Sequence, residues 1–250
     1  MTSAPFLSAG TSFGIPFDFA GGEWRLSPCR ALHWVEEQAL VVADLHLEKA
    51  SWYASKGQFL PPYDSRETIE RLSTAQETTG ARRIYALGDS FHDADGPTRL
   101  EPQARGALEK LARRAQIVWI TGNHDEGLAD AILPGEVAEE MTLRGITLRH
   151  IARPGALGAE LSGHFHPKLR LSLRGRFISR PCAVRAGHRM ILPAHGSLTG
   201  GLDARSPAIR AALCPQKNLE ALVHASGKVL RFALSTGGFA LSAGDTTETA

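Results

Sequence analysis

Three short apolar runs punctuate the first half of the chain: ALVVA at 39–43, RIYAL at 83–87 and QIVWI at 116–120. Each is rich in β-branched or aromatic residues and stops at a polar or glycine-containing turn. That pattern predicts strands, the last two buried on both faces. Between them the apolar period changes to that of a helix. One helix is expected to begin near Asp64, whose side chain would cap it with Glu67 three residues on, and to stop at Gly80. It carries Ile69, Leu72 and Ala75 on one face. A second spans roughly 100–114, with Leu100, Ala104, Leu108 and Leu111 at helical spacing. Alternating strand and helix implies parallel pairing through right-handed crossovers.

After about residue 136 the pattern becomes one of short strands and turns. ITLRH, AELSGHFH, KLRLSLRG, RFISRPCAVRAG and RMILPAHG follow one another, and GKVLRFAL and GFALSAG close the chain before the tail DTTETA. The expected organisation is a single α/β domain over 1–240, its second half mostly β, with 241–250 as a flexible tail. Both halves are expected to share one core.

Composition narrows the class. At 250 residues, with 43% hydrophobic and 22% charged residues, the chain can bury a sizeable core. No stretch approaches a membrane span, and the start MTSAPFLSAGTSFG lacks the features of a signal peptide. Cys29, Cys182 and Cys214 are few and scattered, which argues against a disulfide framework or a cysteine zinc site and for a reducing cytoplasm. The net charge of +2 is uninformative, but its distribution is less so. No acidic residue lies between Glu160 and Asp203, where Lys168, Arg170, Arg174, Arg176, Arg180, Arg185 and Arg189 fall. Such a stretch is either a solvated face or one that tracks a phosphate backbone.

The polar residues that end the strands carry the chemistry. Asp44 and His46, in VVADLHLE, would point to one side of an extended strand and share a metal. Gly88-Asp89, with His92 and Asp93, follows the second run, and Gly122-Asn123-His124-Asp125 follows the third. His150 ends ITLRH, and His164 and His166, in LSGHFHP, alternate onto one face. Alone, each group is weak, since a DxH pair or a GNHD turn arises by chance. In this order, each at the carboxyl end of a strand, they form a strong joint signal.

The ordered blocks DxH, GD, GNHD, His and GHxH over 44–166 resemble the calcineurin-like metallophosphoesterase superfamily. The resemblance implies a two-sheet β-sandwich flanked by helices, with a dinuclear metal site at the strand ends. It implies one ion on Asp44, His46, Asp89 and His166, and another on Asp89, Asn123, His150 and His164, with Asp89 bridging. His124 would be the catalytic histidine outside the ligand set. The donor set itself, imidazole, carboxylate and an amide oxygen without thiolate, suits Mn²⁺, Fe or Zn²⁺; with the resemblance, the expectation is two divalent ions, Mn²⁺ foremost. The expected reaction is in-line attack of a metal-bound hydroxide on a phosphodiester, with His124 steadying the transition state or protonating the leaving oxygen.

Phosphatases of this superfamily read GDxxDR in the second block, whereas this chain reads GDSFHD, with His92 in place of the aspartate. Nucleases of the SbcD type are similar here. His92, Asp93 and Asp125 are each candidates to orient His124. The whole chain resembles the bacterial ligase-associated DNA damage response endonucleases (PdeM-like), with ILPAHGSLTGGLD at 191–203 matching a family segment that has an aromatic in place of His195. The expectation is a DNA endonuclease in repair, beside a ligase and a helicase, with Lys168, Arg170, Arg174 and Arg176 on the nucleic acid. The alternatives are a phosphodiesterase or phosphatase for small nucleotides, and a non-catalytic scaffold. Trp52, Tyr53 and Phe59, in the loop after the first block, either stack on unpaired bases or cover the core beneath.

Overall fold

A computed structural model describes residues 13–234 except Ile15, Arg174, Lys217 and Ser226. The GFALSAG strand, the DTTETA tail and Arg174 therefore lie outside the described residues, as does most of the N-terminal segment. Within them, two seven-stranded sheets are formed. The first runs in order β1 (Pro16–Phe19), β2 (Gly22–Leu26), β3 (Leu32–Trp34), β4 (Ala39–Val42), β5 (Arg83–Leu87), β6 (Gln116–Ile120) and β7 (Glu136–Ala138). Strands β4 to β7 are parallel, as the alternation of strand and helix requires.

Strands β4, β5 and β6 are buried on both faces because the two faces meet different partners. Val41, Tyr85, Leu87, Val118 and Ile120 face the second sheet, while Leu40, Val42, Ile84, Ala86, Ile117 and Trp119 face the helices. Those helices are α1 (Lys49–Ser55), α2 (Asp64–Thr79), α3 (Gly96–Arg99) and α4 (Pro102–Ala112). Helix α2 presents Ile69, Leu72 and Ala75 to the sheet and ends at Gly80, whose left-handed φ of 66° lets its N–H reach the Gln76 carbonyl. Its start departs from expectation: Asp64 is the first helical residue and makes no cap. Its carboxylate instead accepts the N–H of Ala50, 3.0 Å away, tying α2 to α1. Trp52 and Tyr53, expected in a loop, are on α1.

The second sheet contains β8 (Glu140–Leu143), β9 (Ile146–Arg149), β10 (Ala159–Ser162), β13 (Ala183–Ala186), β14 (Arg189–Ile191), β15 (Glu220–Ala225) and β16 (Lys228–Ala233). Leu148, Leu161, Met190 and Leu222 pack across to the first sheet in a single cluster with Trp24, Trp34 and Val41, the interior of a sandwich. RFISRPCAVRAG, expected as one strand, divides at Cys182. Its first part pairs as β12 (Arg176–Pro181) with β11 (Lys168–Leu173) in a separate hairpin, and its second joins the sheet as β13. Pro181, without an N–H, ends the hairpin ladder. Helix α5 (Pro207–Ala212) covers the outer face with Ile209 and Ala212. No helix of the described residues is long and apolar enough to cross a membrane.

Candidate metal centre

Because β4, β5 and β6 are parallel, their carboxyl ends lie along one rim, and the ends of β9 and β10 meet it from the second sheet. An isolated bridge between Ala43 and Ala194 joins the sheets there. Two groups of side chains converge at this seam. Asp44, His46 and His166 form one, and Asp89, His150 and His164 the other, with the ligand atoms of each lying within 4.8 Å of one another.

The chain reaches this convergence by a local conformation that the sequence reading did not foresee. Asp44, His46, Asp89, His164 and His166 all have positive φ, between 43° and 73°. Left-handed backbone is uncommon for residues with a Cβ and clusters where function over-determines the structure. Neither DxH nor GHxH is therefore extended. β4 stops at Val42 and β10 at Ser162, and the kinked segments beyond them aim alternate residues by turning rather than by pleat. As a result His164 and His166 do not share a site: His164 joins Asp89 and His150, and His166 joins Asp44 and His46. The motif glycines leave the room. A Cβ on Gly88 would overlap the His150 ring, and one on Gly163 would press on the Asp44 carboxylate.

The hydrogen bonds fix what the ligands offer. His150 Nδ1 lies 3.0 Å from the Leu87 carbonyl, an acceptor, so Nδ1 carries a proton, and whenever the ring is neutral it is Nε2 that presents the lone pair. That nitrogen faces Asn123 Oδ1 at 3.0 Å, Asp89 Oδ1 at 3.3 Å and His164 Nδ1 at 3.2 Å. Several lone pairs thus converge on one point that a cation would satisfy. Asp89 reaches the other way as well, its Oδ2 lying 3.8 Å from His46 Nε2, which is itself 3.2 Å from His166 Nε2. His166 Nε2 lies 3.4 Å from Asp44 Oδ1. The donor set fits two divalent ions with Asp89 between them, nitrogen and oxygen ligands on each and no sulfur.

Backbone donors hold the carboxylates. The His164 N–H donates to Asp44 and the His124 N–H to Asp89, each at 3.0 Å. Burial raises the Asp89 carboxyl pKa, but the hydrogen bond and charge of His150, with the His124 N–H, outweigh it and bring the group down to about 2. Burial and the neighbouring His166 push His46 down to about 2, leaving it a neutral ligand. Burial lowers His150, yet Asp89 and Asp44 more than compensate and raise it, a field that favours positive charge at this spot.

Around the ligands, His124 is half-buried, its ring 5.4 Å from that of His46. Of the three candidates to orient it, His92 alone stacks on its ring, with centroids 5.4 Å apart and planes 16° from parallel. His92 is in turn edge-on to Trp52 at 4.8 Å and parallel to Tyr53 at 6.3 Å, and burial, Lys49 and His124 press its pKa down to about 4. Asp93 is engaged by Arg99. The Asp125 carboxylate accepts the N–H groups of Ser90, Phe91 and Gly122, so it staples the second block to the third rather than meeting the His124 ring.

The basic stretch divides. Arg189 is fully buried against Glu160, and Arg185 pairs with Glu220, so neither belongs to an exposed basic face. Lys168, Arg170 and Arg176 lie on the hairpin. Phe59 is 85% exposed and covers no core. Sequence reasoning missed the clamp behind the ligands. Arg30 donates to the carbonyls of Ala194 and Gly196, Arg71 donates to that of His195, and the Gly196 N–H reaches the Asp44 carbonyl. No motif marks Arg30 or Arg71, because their partners are backbone oxygens, which any residue supplies.

No protein-family model and no curated protein matches the chain. Among solved structures, a nuclease from Pseudomonas putida is similar over 86% of this chain and 98% of its own, at 29% identity and a TM-score of 0.64. The chain resembles a metallophosphoesterase nuclease. Two fainter likenesses are a protein of unknown function from Aquifex aeolicus, at 14% identity over 51% of this chain and 78% of that one with a TM-score of 0.37, and a predicted phosphoesterase from Streptococcus pneumoniae, at 14% over 78% and 96% with a TM-score of 0.30. The metallophosphoesterase arrangement of two sheets with ligand clusters at their joined rims is the one seen here.

Proposed function

We propose that this chain is a metal-dependent phosphodiesterase that cleaves DNA internally. The observation that carries the reading is Asp89, whose two oxygens face two ligand groups assembled from both sheets. Its likeness to a nuclease over nearly the whole length supports the choice of a nucleic acid over a small ester. The repair setting, with a ligase and a helicase as neighbours, rests on the sequence resemblance alone.

Two divalent ions in these groups would activate water and neutralise charge on the phosphate oxygens. The protein's share is to hold the ligands and to place a proton. Asp44, His46, Asp89 and His166 would bind one ion and Asp89, Asn123, His150 and His164 the other, with Mn²⁺ the expected metal and Fe or Zn²⁺ also compatible with the donor set. His124, outside both groups and at the rim, would donate to the leaving oxygen, and His92, stacked flat against it, would hold the ring in place.

Supercoiled plasmid incubated with metal-stripped protein, with and without Mn²⁺, tests this beside Asp89→Asn. Metal-dependent nicking that the variant lacks is the expected result. Intact plasmid alongside hydrolysis of a small phosphodiester would move the substrate to small nucleotides.

A further inference from the structure

The segment that follows His166 leaves both sheets. Strands β11 and β12 pair with each other from Lys168↔Pro181 to Leu173↔Arg176, and among the described residues their further backbone pairing is one bridge, Lys168 to Asp203. Directly paired residues share a face. Lys168, Arg170 and Ser172 therefore lie on one face with Pro181, Ser179 and Phe177. The other face sends Leu169 and Leu171 into the core beneath, so the first looks outward. At its far end Phe177 is 92% exposed.

A single exposed apolar side chain is ordinary on a protein surface. The company of Phe177 gives it meaning. The face bears two cations and two serines and no carboxylate, and the nearby Asp203 pairs with Arg205. Lys168 donates to the Thr199 carbonyl at 3.1 Å and Arg170 to that of Gly201 at 3.3 Å. Neutral acceptors leave both charges intact while fixing their place. The 199–201 turn they grip abuts a metal-ligand residue, since a Cβ on Gly201 would overlap the His166 carbonyl. The face thus begins two residues after His166 and runs outward roughly 13 Å from Lys168 to Ser172, at a strand's rise per residue.

We propose that this face is an exosite for the nucleic-acid strand as it leaves the metal centre. Lys168 and Arg170 take backbone phosphates, and an unpaired base stacks on Phe177. Cations that track the backbone, together with an aromatic ring that accepts any base, are how proteins hold a strand without reading its sequence. The proposal rests on the nuclease reading above and goes beyond it by naming where the strand lies.

The test uses the full-length protein with Mn²⁺ and two substrates, a thymidine oligonucleotide of about 16 nucleotides, long enough to run past the hairpin, and bis(p-nitrophenyl) phosphate. Phe177→Ala should lower the ratio of kcat/KM for the oligonucleotide to that for the small diester about tenfold, the loss of one base–aromatic stack. Phe177→Trp should restore it. Arg170→Gln should reduce the slope of log KM for the oligonucleotide against log salt by about 1. An unchanged ratio in Phe177→Ala, or one that Trp does not rescue, overturns the exosite. A wild-type protein that hydrolyses the small diester and leaves both the oligonucleotide and supercoiled plasmid whole instead overturns the nuclease reading on which the exosite rests, and one that nicks plasmid but spares the oligonucleotide overturns the exosite alone.

Discussion

The His92 imidazole lies nearly parallel to that of His124, 16° between planes and 5.4 Å between centroids, with Tyr53 parallel beyond it. Stacked rings restrain rotation without supplying a proton acceptor, so His124, the proposed catalytic histidine, is braced by contact. His124→Asn should leave metal content at the wild-type level and slow turnover by about 10²–10⁴-fold, the usual range for a lost general acid. His92→Ala should cost less, about tenfold in kcat with KM little changed, and His92→Phe should recover much of it by keeping the stack. Steady-state kinetics beside elemental analysis of bound metal separates these outcomes. A His92→Phe variant no better than His92→Ala would refute the brace.

Asp89 and Gly163 test the centre itself. Asp89→Asn removes the charge that two ligand groups share, and elemental analysis should find fewer than two ions per chain together with lost cleavage. Gly163→Ala is subtler, since the added methyl presses on Asp44 and on the Ala43 side chain. Metal affinity should fall about 10–100-fold, as when a group that orients a ligand is disturbed. Unchanged affinity by competition with a chelator would show that Asp44 can give way.

His195 sets a pH dependence. Its ring is fully buried, and burial, with Arg71 and Arg30 nearby, holds its pKa well below the usual value. The unfolded chain takes up a proton near pH 6.5 and the folded chain does not, so stability falls as pH drops below that point. The effect of one such group is about 1.4 kcal/mol per pH unit. In metal-free protein His195→Phe should shrink the fall in Tm between pH 7 and pH 5, measured by thermal melts. An equal fall in both proteins would mean that His195 is protonated in the folded state.

Leu108 packs from α4 onto the helix-bearing face of the first sheet. Leu108→Ala should cost about 2–5 kcal/mol in chemical denaturation and leave kcat unchanged with folded enzyme. A fall in kcat would indicate that helix packing reaches the ligand rim.

The parallel strands β4, β5 and β6 and both long helices were legible because continuous apolar runs and helical spacing have few other readings. β1, β2 and β3 escaped notice: Asp18, Glu23, Arg25 and His33 interrupt their short apolar sets. The candidate ligands were legible by type and order, and the resemblance divided His164 and His166 between two groups, but the backbone that does so was not legible. Alternation on an extended strand would unite them, and only the left-handed turns at both residues divide them. Arg189 read as surface charge because its partner Glu160 is distant in sequence. Asp125 read as a candidate to orient His124 because its three N–H partners are backbone groups that no side-chain pattern marks.

Each ligand group takes members from both sheets: Asp44 and His46 with His166, and Asp89 and Asn123 with His150 and His164. The ions would therefore act as rivets across the sandwich. If the chain were cut at the exposed Glu139, between β7 and β8, neither fragment would own a complete site. Reassembly of the two pieces would then depend on Mn²⁺, and recovered cleavage would report that the halves had found each other.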